Sequence, residues 1–328
     1  MLNVEKTVYI SQTFDPVFNL SAEEYLMSIC NKNEIIMYLW QNEKTIVIGK
    51  HQNPYKECDV YKIAKDKVNL VRRSSGGGAV FQDLGNLNFT FIAHKNNYDE
   101  DKNFKIVIAA LKEWNITAHK TGRNDLTVDN KKISGNAFMH NENISCHHGT
   151  LLINVNLYDL TKYLTPSKIK LKSKGVESVS SRVANLKDFN EDINSKSLKK
   201  SLIKSFDKNY LGILKYKKMP SYDELKNYLD KYTRWEWNFA ESPKANISKE
   251  VSFDWGNFRI DFNIHNGEIK DCTISTDTLL DEPFLDLEKA IIGKKFKVNE
   301  IIPVIQQKFT LEKVKNDLTK LIKNIVVK

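Results

Sequence analysis

Cysteine is scarce in this chain, and its few copies lie far apart. The 328 residues include four cysteines, Cys30, Cys58, Cys146 and Cys272, and no two of them form a CxxC pair. Such widely spaced thiols exclude a disulfide framework and are typical of free cysteines in a reducing compartment. We therefore expect a cytoplasmic protein.

Long apolar stretches are also missing. No run approaches the roughly 18 residues of a membrane-spanning helix, and the N-terminus lacks the basic and then apolar segments of a signal peptide. Hydrophobic residues still make up 41% of the chain, which is enough for a substantial core. A length of 328 residues indicates two domains, or one large domain with an appendage.

Several common catalytic and phosphate-binding motifs are absent. The chain has no GxxxxGK(S/T) loop, no GxGxxG after a strand and no HExxH, which excludes a Walker loop, a dinucleotide fingerprint and a zinc-protease helix. The run Cys146, His147, His148 invites a metal or Cys–His nucleophile interpretation. Adjacent strand residues point to opposite faces, so we favour neither.

Acidic residues are outnumbered, because 50 Lys and Arg against 41 Asp and Glu give a net charge of +9. Nucleic-acid grooves more often interleave aromatic with basic residues. The densest basic stretch has no aromatic residue among its last four lysines and therefore predicts a solvated face or a docking surface for an acidic protein. Its members are Lys162, Lys168, Lys170, Lys172 and Lys174.

The most informative segment present is residues 72–88, where two arginines precede three glycines and an apolar strand. Gly76, Gly77 and Gly78 leave backbone N–H groups uncovered and permit positive φ, so the main chain can approach an anion closely. Arg72 and Arg73 add planar, permanently charged donors suited to phosphate or carboxylate. Together they predict a ligand-binding loop, whereas an isolated GGG would indicate only a turn.

A second polar block covers residues 122–126 and 132–137. Lys132 begins a strand beside a Ser-Gly-Asn-Ala turn, whose small side chains leave room for a ligand carboxylate or phosphate next to the ammonium. Lysines are usually solvated, so an exposed Lys132 is the alternative. Asp125 could hold this lysine, or a Mg²⁺ ion that accompanies a nucleotide.

Periodicity and turn residues predict a mixed order of strands and helices. A capping box at residues 21–24 predicts a first helix that begins near 21, and further helices are expected at 104–114, 195–206 and 222–232. Strands are expected at 35–40, 45–48, 87–92 and 149–155. Residues 125–133 form a hairpin with a turn at 129–130.

The pattern restarts after residues 242–246, where we place a boundary. Alternating apolar residues from 258 to 264 and an Asn-Gly turn at 266–267 predict a hairpin. A closing amphipathic helix carries an apolar stripe that packs on a core. The stripe consists of Leu311, Val314, Leu318, Leu321, Ile322 and Ile325.

Spaced blocks of the sequence resemble the signature blocks of lipoate–protein ligases. They are residues 18–24, 48–54, 72–88, 122–137, 147–154, 181–186 and 235–243, in the family's order. The resemblance implies an α/β (α+β) fold with two domains. A mixed-sheet catalytic domain of the biotin and lipoate ligase type, binding lipoate and ATP, is expected at 1–243, and a small α+β accessory domain at 246–328.

The resemblance also implies a reaction in two steps. Lipoate attacks the α-phosphate of ATP to give lipoyl-AMP and pyrophosphate, with Mg²⁺ as cofactor. The lipoyl group then passes to a lysine of a carrier, which is the lipoyl domain of a 2-oxoacid dehydrogenase or the glycine-cleavage H protein. Because the chain is basic, we expect carriers with an acidic surface.

The family's motifs imply roles for single residues. Lys132, in the K-(I/V)-S-G motif, is expected to be catalytic and to contact both lipoate and nucleotide, and Arg73 is expected to contact phosphate. Asp125 is the candidate metal ligand. The other expected ligand contacts are Gly76, Gly77, Gly78, Ala79, Val80, Phe81, Asn86, Gly149 and Thr150. Gln82 stands where the family commonly has histidine, and because glutamine does not titrate, we expect it to position ligand without transferring a proton.

Other functions remain as alternatives. An ATP-independent octanoyl or lipoyl acyltransferase of the same superfamily needs an activated cysteine, and no cysteine lies between Cys146 and Cys272. Biotin ligase activity is less favoured because a GRGRxG-type loop is missing. A non-catalytic lipoate-binding module is disfavoured by the retention of Lys132, Arg73 and the glycines, and nucleic-acid binding, which rests on charge alone, ranks last.

Overall fold

The structure is a computed structural model that describes residues 4–122, 124–165, 183–239, 247–265 and 267–326. Some sequence predictions lie outside these ranges. They are the boundary at 242–246, Asn266 of the predicted turn, the basic stretch from 168 to 174, Arg123, and residues 181–182 of the family's signature blocks.

Up to residue 239 the described strands and helices are interspersed. In chain order they are β1 (Glu5–Ile10), α1 (Pro16–Ile29), β2 (Glu34–Trp40), β3 (Thr45–Ile48), α2 (Pro54–Glu57), α3 (Val60–Lys65), β4 (Asn69–Arg72), β5 (Val80–Gln82), β6 (Asn86–His94), α4 (Glu100–Lys112), β7 (His119–Thr121), β8 (Asp125–Val128), β9 (Lys131–His140), β10 (Ile144–Leu152), α5 (Leu157–Tyr163), α6 (Ser195–Asn209), β11 (Leu214–Tyr216), α7 (Lys226–Thr233) and α8 (Trp235–Phe239).

Most of these strands form one large mixed sheet in the order β11-β1-β2-β6-β10-β9-β8-β7. β1 pairs in parallel with β2 and β11, and the other neighbours are antiparallel. On one face Phe104 of α4 and Phe206 of α6 share a core with Phe91 of β6. On the other face Leu26 of α1 shares a core with Tyr38 of β2. The chain therefore has the α/β fold with a mixed sheet that the sequence predicts.

A second, small sheet carries the glycine-rich segment. Its order is β4-β3-β5, with β4 parallel and β5 antiparallel to β3. Because β4 and β5 lie on opposite sides of β3, residues 73–79, here called the glycine loop, must cross the end of β3. The Arg73 N–H donates to the Ile48 carbonyl at 2.9 Å as the loop begins. The sheet therefore fixes both ends of the glycine loop.

The predicted start of the first helix is wrong. α1 begins at Pro16, where the Asp15 side chain accepts a hydrogen bond from the Val17 N–H and proline occupies the first turn. An Asp N-cap followed by proline is a stronger start signal than a Ser-x-x-Glu pattern. Of the two supposed cap residues, Ser21 is instead buried within α1, and Glu24 is half-buried in the same helix.

Other local predictions agree closely with the structure. The strands at 35–40 and 45–48 are β2 and β3, although they belong to different sheets. Asp129 and Asn130 have φ angles of 49° and 61° between β8 and β9, as a two-residue hairpin turn requires. β10 begins at Ile144, earlier than the predicted 149, because its polar residues Ser145 and His147 obscure the apolar pattern.

After residue 247 the chain forms a unit with its own core. Its elements are β12 (Ile247–Phe253), β13 (Gly256–His265), β14 (Glu268–Thr276), α9 (Phe284–Ile291), α10 (Val298–Lys308) and α11 (Glu312–Ile325), and its three strands pair antiparallel. Phe258, Phe284 and Leu318 are buried in a cluster drawn from this unit. The predicted apolar stripe packs into it, except Leu311, which precedes α11 and is 44% exposed.

None of the helices within the described ranges combines the length and the apolar character needed to cross a membrane.

Candidate active site

The two blocks singled out from the sequence line one cavity of about 200 Å³. The glycine loop and β5 contribute at one side, and β9 and β10 at the other. In chain order these lining residues are Arg73, Gly77, Gly78, Ala79, Val80, Gln82, Lys132, Gly135, Asn136, Ala137, His148, Gly149 and Thr150. A single ligand in this cavity can therefore contact both the glycines and the lysine.

Arg73 braces the glycine loop from inside. Its side chain is buried, and Nη2 donates to the Gly76 carbonyl at 2.6 Å and to the Gly78 carbonyl at 2.8 Å. Nε donates to the Ser75 hydroxyl at 2.9 Å. Burial lowers the pKa of Arg73 to about 10, which leaves the side chain charged at neutral pH. Arg73 therefore fixes the loop's shape and places a positive charge at the cavity wall.

Arg72 binds backbone carbonyls inside the protein. Its guanidinium donates to the backbone carbonyls of Gly49, Gln52 and Trp237. It thus ties the segment after β3 to α8. The paired arginines of the sequence have different surroundings, and within the described residues the cavity is lined by Arg73 and not by Arg72.

The C-terminal unit reaches the glycine loop. The Gly77 N–H donates to the Thr278 carbonyl at 2.9 Å, and a Cβ at Gly76 would lie 2.3 Å from that oxygen. Glycine is therefore required at 76 by the close approach of another backbone. Asp277 and Leu279, on either side of Thr278, line the cavity. The residues after β14 thus form part of the site, which the sequence did not indicate.

Lys132 lies opposite the glycine loop and pairs with Asp125. Its Nζ is 2.6 Å from Asp125 Oδ1, and the lysine side chain is 26% exposed. A β-bulge sets this geometry, because Leu126 pairs with Ser134 whereas Thr127 pairs with Lys132. A regular register would place Lys132 opposite Val128 of β8, and the Val128 side chain is buried in the core. The bulge therefore moves the ammonium to the same side as Asp125.

Small residues make room for the Lys132 side chain. A Cβ at Gly135 would lie 2.8 Å from Lys132 Nζ. A Cβ at Gly149 would overlap Asn136 and Phe89 at 2.3 and 2.4 Å. The two glycines, on paired strands, thus let β9 and β10 present Lys132 to the cavity.

Five of the other lining residues form an apolar wall, which comprises Leu20, Trp40, Val47, Leu164 and Leu279. The remaining lining residues are polar: Glu57, Asn88, Asn124 and Asp277. An elongated apolar group would fit against this wall while a polar head remains near Lys132. This combination of an apolar wall with a few placed polar groups is typical of small-molecule sites.

Gln82 lines the cavity within a network of amides. Its Oε1 accepts from Asn42 Nδ2 at 2.9 Å, and its Nε2 donates to Asn88 Oδ1 at 2.9 Å. Asn86 Nδ2 also donates to Asn88 Oδ1, at 3.0 Å. The network fixes the Gln82 amide by hydrogen bonds alone, without a titrating group.

His147 and His148 point to opposite faces of β10, as strand geometry requires. His147 is buried among Phe104 and Phe138, with ring centroids 4.7 and 4.8 Å away, and burial lowers its pKa well below the usual value. His148 lies on the cavity side. Its Nδ1 is 2.9 Å from the Glu23 carboxylate.

One group among the described residues has the spacing of metal ligands. Ligand atoms of Glu23, Cys146 and His148 lie within 4.8 Å of one another. Burial raises the pKa of the Cys146 thiol well above its usual value, and a thiol must lose its proton to bind a metal. The group therefore does not favour a metal, and Asp125, the residue predicted for that role, is not part of it.

Three predicted contacts lie away from the main cavity. Gly76 lines a neighbouring cavity, Phe81 packs against Tyr163 with ring centroids 6.0 Å apart, and Asn86 is 1% exposed behind Asn88. Their ligand contacts stay predictions. In this structure Phe81 and Asn86 support the cavity wall from behind.

Comparison with known proteins identifies the family. Residues 15–207 match the lipoyl protein ligase A/B catalytic domain, and residues 242–323 match the bacterial lipoate protein ligase C-terminus. The chain belongs to the lipoate–protein ligase family. A lipoate-protein ligase A from Psychrobacter cryohalolentis is 40% identical over 89% of this chain and 89% of that protein. One from Blochmanniella floridana is 39% identical over 86% of this chain and 87% of that protein. The crystal structure of P. falciparum LipL1 in complex with lipoate has a TM-score of 0.83 and 32% identity, and covers 97% of this chain and 99% of that chain.

The cysteines of this lipoate–protein ligase family member are poorly placed for thioester chemistry. All four lie in the described part of the chain, and none of them lines the main cavity. Cys58, Cys146 and Cys272 are buried, and burial raises the pKa of the partly buried Cys30 to about 12. An acyltransferase nucleophile needs an accessible thiol with a lowered pKa. Three of these thiols are inaccessible, and the pKa of Cys30 is raised.

Sequence reasoning missed several groups at the ligase site, among them Glu23, Asp277 and Leu279. Glu23 received no role of its own within the supposed capping box at residues 21–24, although it holds His148 from inside α1. Asp277 and Leu279 belong to the C-terminal unit and carry no local motif. The three-residue spacing of Glu23 from Leu20 and Leu26 puts a carboxylate on the apolar side of α1 and was the signal that could have revealed it. Asp277 and Leu279 depend on how the parts of the chain meet.

Proposed function

We propose that this chain activates lipoate with ATP, forming lipoyl-AMP and pyrophosphate, and transfers the lipoyl group to a lysine of a lipoyl-carrier protein. One observation carries the proposal: Lys132 and the glycine loop line the same cavity, which also has an apolar wall. Membership of the lipoate–protein ligase family supports the same reaction.

The cavity's two chemical surfaces suit the two substrates. The apolar wall that includes Leu20, Trp40 and Val47 suits the hydrocarbon chain and dithiolane ring of lipoate. The glycine loop suits the phosphates of ATP chiefly through the Arg73 charge at the cavity wall and the absence of side chains, because the Gly77 N–H already donates to the Thr278 carbonyl. Lys132 lines the same cavity as both surfaces, so its ammonium is the group that can meet the lipoate carboxylate and the α-phosphate together.

Positive charge at this point addresses the main barrier of the first step. A carboxylate that approaches a triphosphate is repelled, and preorganised positive groups reduce that repulsion in the transition state. Lys132 supplies a compact charge, and Arg73 supplies a fixed charge at the cavity wall. Holding both substrates in one cavity also removes the entropy cost of bringing them together during the reaction.

Arg73 acts in this proposal mainly as the brace of the glycine loop. Its contacts with the Gly76 and Gly78 carbonyls keep the loop in place, and its charge favours phosphate nearby. The direct phosphate contact that the family resemblance implies remains part of the proposal.

Mg²⁺ is the expected companion of the nucleotide. It is commonly held by one or two carboxylates together with substrate phosphates. Asp125 is a carboxylate beside Lys132 and is 19% exposed, so it is within reach of a nucleotide that this lysine holds. When bound, the ion would neutralise phosphate charge, and Asp125 would be its protein ligand.

The second step requires a carrier protein, and we further propose the surface charge of that carrier, the domain division of this chain and its location. The net charge of +9 supports a carrier with an acidic surface. Residues 1–243 form the catalytic domain and 246–328 the accessory domain, a division supported by the separate core after residue 247. Four free cysteines support a cytoplasmic location.

Pyrophosphate release with lipoate and ATP tests the first step. Lys132→Ala is expected to lower the rate about 100-fold, because a charge aimed at the reacting groups is lost. Lys131→Ala is the matched control, since Lys131 precedes it on β9 with an exposed side chain, and it should keep the wild-type rate. Near-normal release by Lys132→Ala would contradict the role given to this lysine.

A further inference from the structure

A continuous chain of hydrogen bonds runs behind the cavity wall. Trp40 Nε1 donates to Thr90 Oγ1 at 3.0 Å, and Thr90 Oγ1 donates to Glu23 Oε1 at 2.6 Å. Both oxygens of Glu23 are 2.9 Å from His148 Nδ1. This series of hydrogen bonds thus begins at Trp40 in the apolar wall and passes through the buried carboxylate of Glu23 to His148 of β10.

The same series of hydrogen bonds continues into the glycine loop. His148 Nε2 lies 2.8 Å from Ser75 Oγ, and Arg73 Nε donates to that same oxygen at 2.9 Å. Ser75 is 1% exposed, so water does not compete for its hydroxyl. Both ring nitrogens of His148 therefore have a protein partner, one at each end of the link between Glu23 and Ser75.

Glu23 also balances charge in the interior. Burial lowers the pKa of Arg73, and the negative charge of Glu23 opposes that shift. The acceptors that Arg73 reaches directly include the Gly76 carbonyl, the Gly78 carbonyl and the Ser75 hydroxyl, which are neutral groups. The buried carboxylate thus offsets the buried guanidinium, and the two are connected through His148 and Ser75.

We propose that Glu23 and His148 are positioning residues for the nucleotide-binding glycine loop. They hold Ser75, and through Ser75 they hold the Arg73 side chain that braces the loop. His148 additionally lines the cavity, whereas Glu23 acts from behind the wall. The inference rests on the proposed function, because it assigns nucleotide binding to the glycine loop.

This role differs from that of an ordinary wall residue. A residue that only shapes the apolar wall would affect lipoate binding when changed. A residue that positions the glycine loop would affect ATP binding, although it lies on the far side of His148 from that loop. The ratio of the two affinities therefore separates the two roles.

Calorimetric titrations with ATP and with lipoate test the proposal. Glu23→Gln keeps the side chain's shape and removes its charge, and Ser75→Ala removes the central hydroxyl. Each variant should weaken ATP binding about tenfold, the usual scale for one lost hydrogen bond to a charged group. Lipoate affinity should change less than about twofold on the same scale.

Two controls match the substitutions. Glu34→Gln removes the buried carboxylate of Glu34 on β2, which accepts hydrogen bonds from Thr7 and Lys217. Ser21→Ala removes another buried hydroxyl on α1. Both should leave the two affinities unchanged, even if Glu34→Gln lowers the melting temperature. This result separates positioning from a general loss of stability.

The double variant Glu23→Gln, Ser75→Ala gives a second readout. If both residues act through one chain, the double variant should bind ATP no more weakly than the weaker single variant. Additive losses, unchanged ATP affinity in both singles, or a loss confined to lipoate would each overturn the inference. Absence of ATP and lipoate binding by the wild-type protein would instead overturn the proposed function.

Discussion

At the scale of single residues, the site depends on positions where a side chain cannot fit. A Cβ at Gly149 would lie 2.3 Å from Asn136 Oδ1 and 2.4 Å from Phe89 Cζ, both of them buried groups. Gly149→Ala should therefore cost about 1–3 kcal/mol in the free energy of unfolding, the usual range for overpacking. Urea denaturation followed by fluorescence measures the change.

Gly78 is the matched control for this prediction. A Cβ there would meet no atom within 4 Å among the described residues, so Gly78→Ala should leave the denaturation midpoint nearly unchanged. Equal stability losses at both positions would show that the strand contact at Gly149 is not what requires glycine.

The type of a residue predicts the chemistry of its side chain, but not which other side chains it contacts. Lys132, Arg73 and the three glycines were identified from type and local spacing, and most of them line the cavity. Glu23 was not predicted as a site residue, because its partner His148 is distant in sequence and belongs to another element. Local patterns carry no information on such a contact, which arises only when α1 packs on the large sheet.

At the scale of elements, α1 is the helix on which the candidate site depends most. It carries Leu20 of the apolar wall and Glu23 behind the wall. Asp15 caps its N-terminus by accepting from the Val17 N–H at 2.9 Å. Asp15→Ala should cost about 1 kcal/mol of stability, because one orphan N–H loses its partner.

Thermal denaturation of Asp15→Ala and Asp15→Asn checks this assignment. Asparagine is also a good cap, so Asp15→Asn should retain most of the wild-type melting temperature, whereas Asp15→Ala should not. If the two variants melt at the same temperature, the cap is not what stabilises the start of α1.

Element predictions succeeded where the signal was local. The Asp129-Asn130 turn and the strands β2 and β3 follow from turn chemistry and apolar runs. The bulge at Lys132 was not predicted, because a one-residue shift in pairing depends on the partner strand as well as on its own sequence. The start of α1 was misplaced because two capping signals competed.

At the scale of the whole molecule, His51 lies where the two parts of the chain meet. Its carbonyl accepts from the Thr276 N–H at 3.0 Å, and its ring is 5.9 Å from Phe284 of α9. Burial, together with the charges of Lys50 and Arg72, lowers the pKa of His51 from 6.5 to about 4. The folded protein therefore keeps this imidazole neutral in mildly acidic solution.

The sign of the resulting pH dependence follows from this shift. Between pH 6.5 and about 4 the unfolded chain binds a proton at His51 that the folded chain does not. The contribution of His51 to stability is therefore full above pH 6.5 and is lost as the pH falls toward 4. His51→Gln should remove this part of the acid sensitivity.

Urea midpoints for the wild type and His51→Gln at pH 7 and pH 4.5 measure the effect. The free energy of unfolding should fall more for the wild type than for the variant over this interval. The difference between the two slopes against pH should correspond to about one proton. Other buried histidines contribute equally to both proteins and cancel in the comparison. Parallel pH profiles would show that His51 does not resist protonation in the folded state.

The meeting of the two parts was the feature least accessible from sequence. The Gly77 N–H is bound by the Thr278 carbonyl, and Asp277 and Leu279 enter the cavity. Backbone contacts between distant segments leave no trace in periodicity or composition. The sequence therefore indicated the loop and the lysine, but not the third segment that lines the same cavity.

The central claim is that one cavity joins lipoate to ATP and delivers the acyl group to a carrier lysine. Intact-mass spectrometry of a lipoyl domain, incubated with this protein, lipoate and ATP, tests it most directly. One lipoyl group should appear on a lysine of the domain when ATP is present, none should appear without ATP, and Lys132→Ala should form the product about 100-fold more slowly. An equal mass gain without ATP, or with Lys132→Ala, would contradict the account.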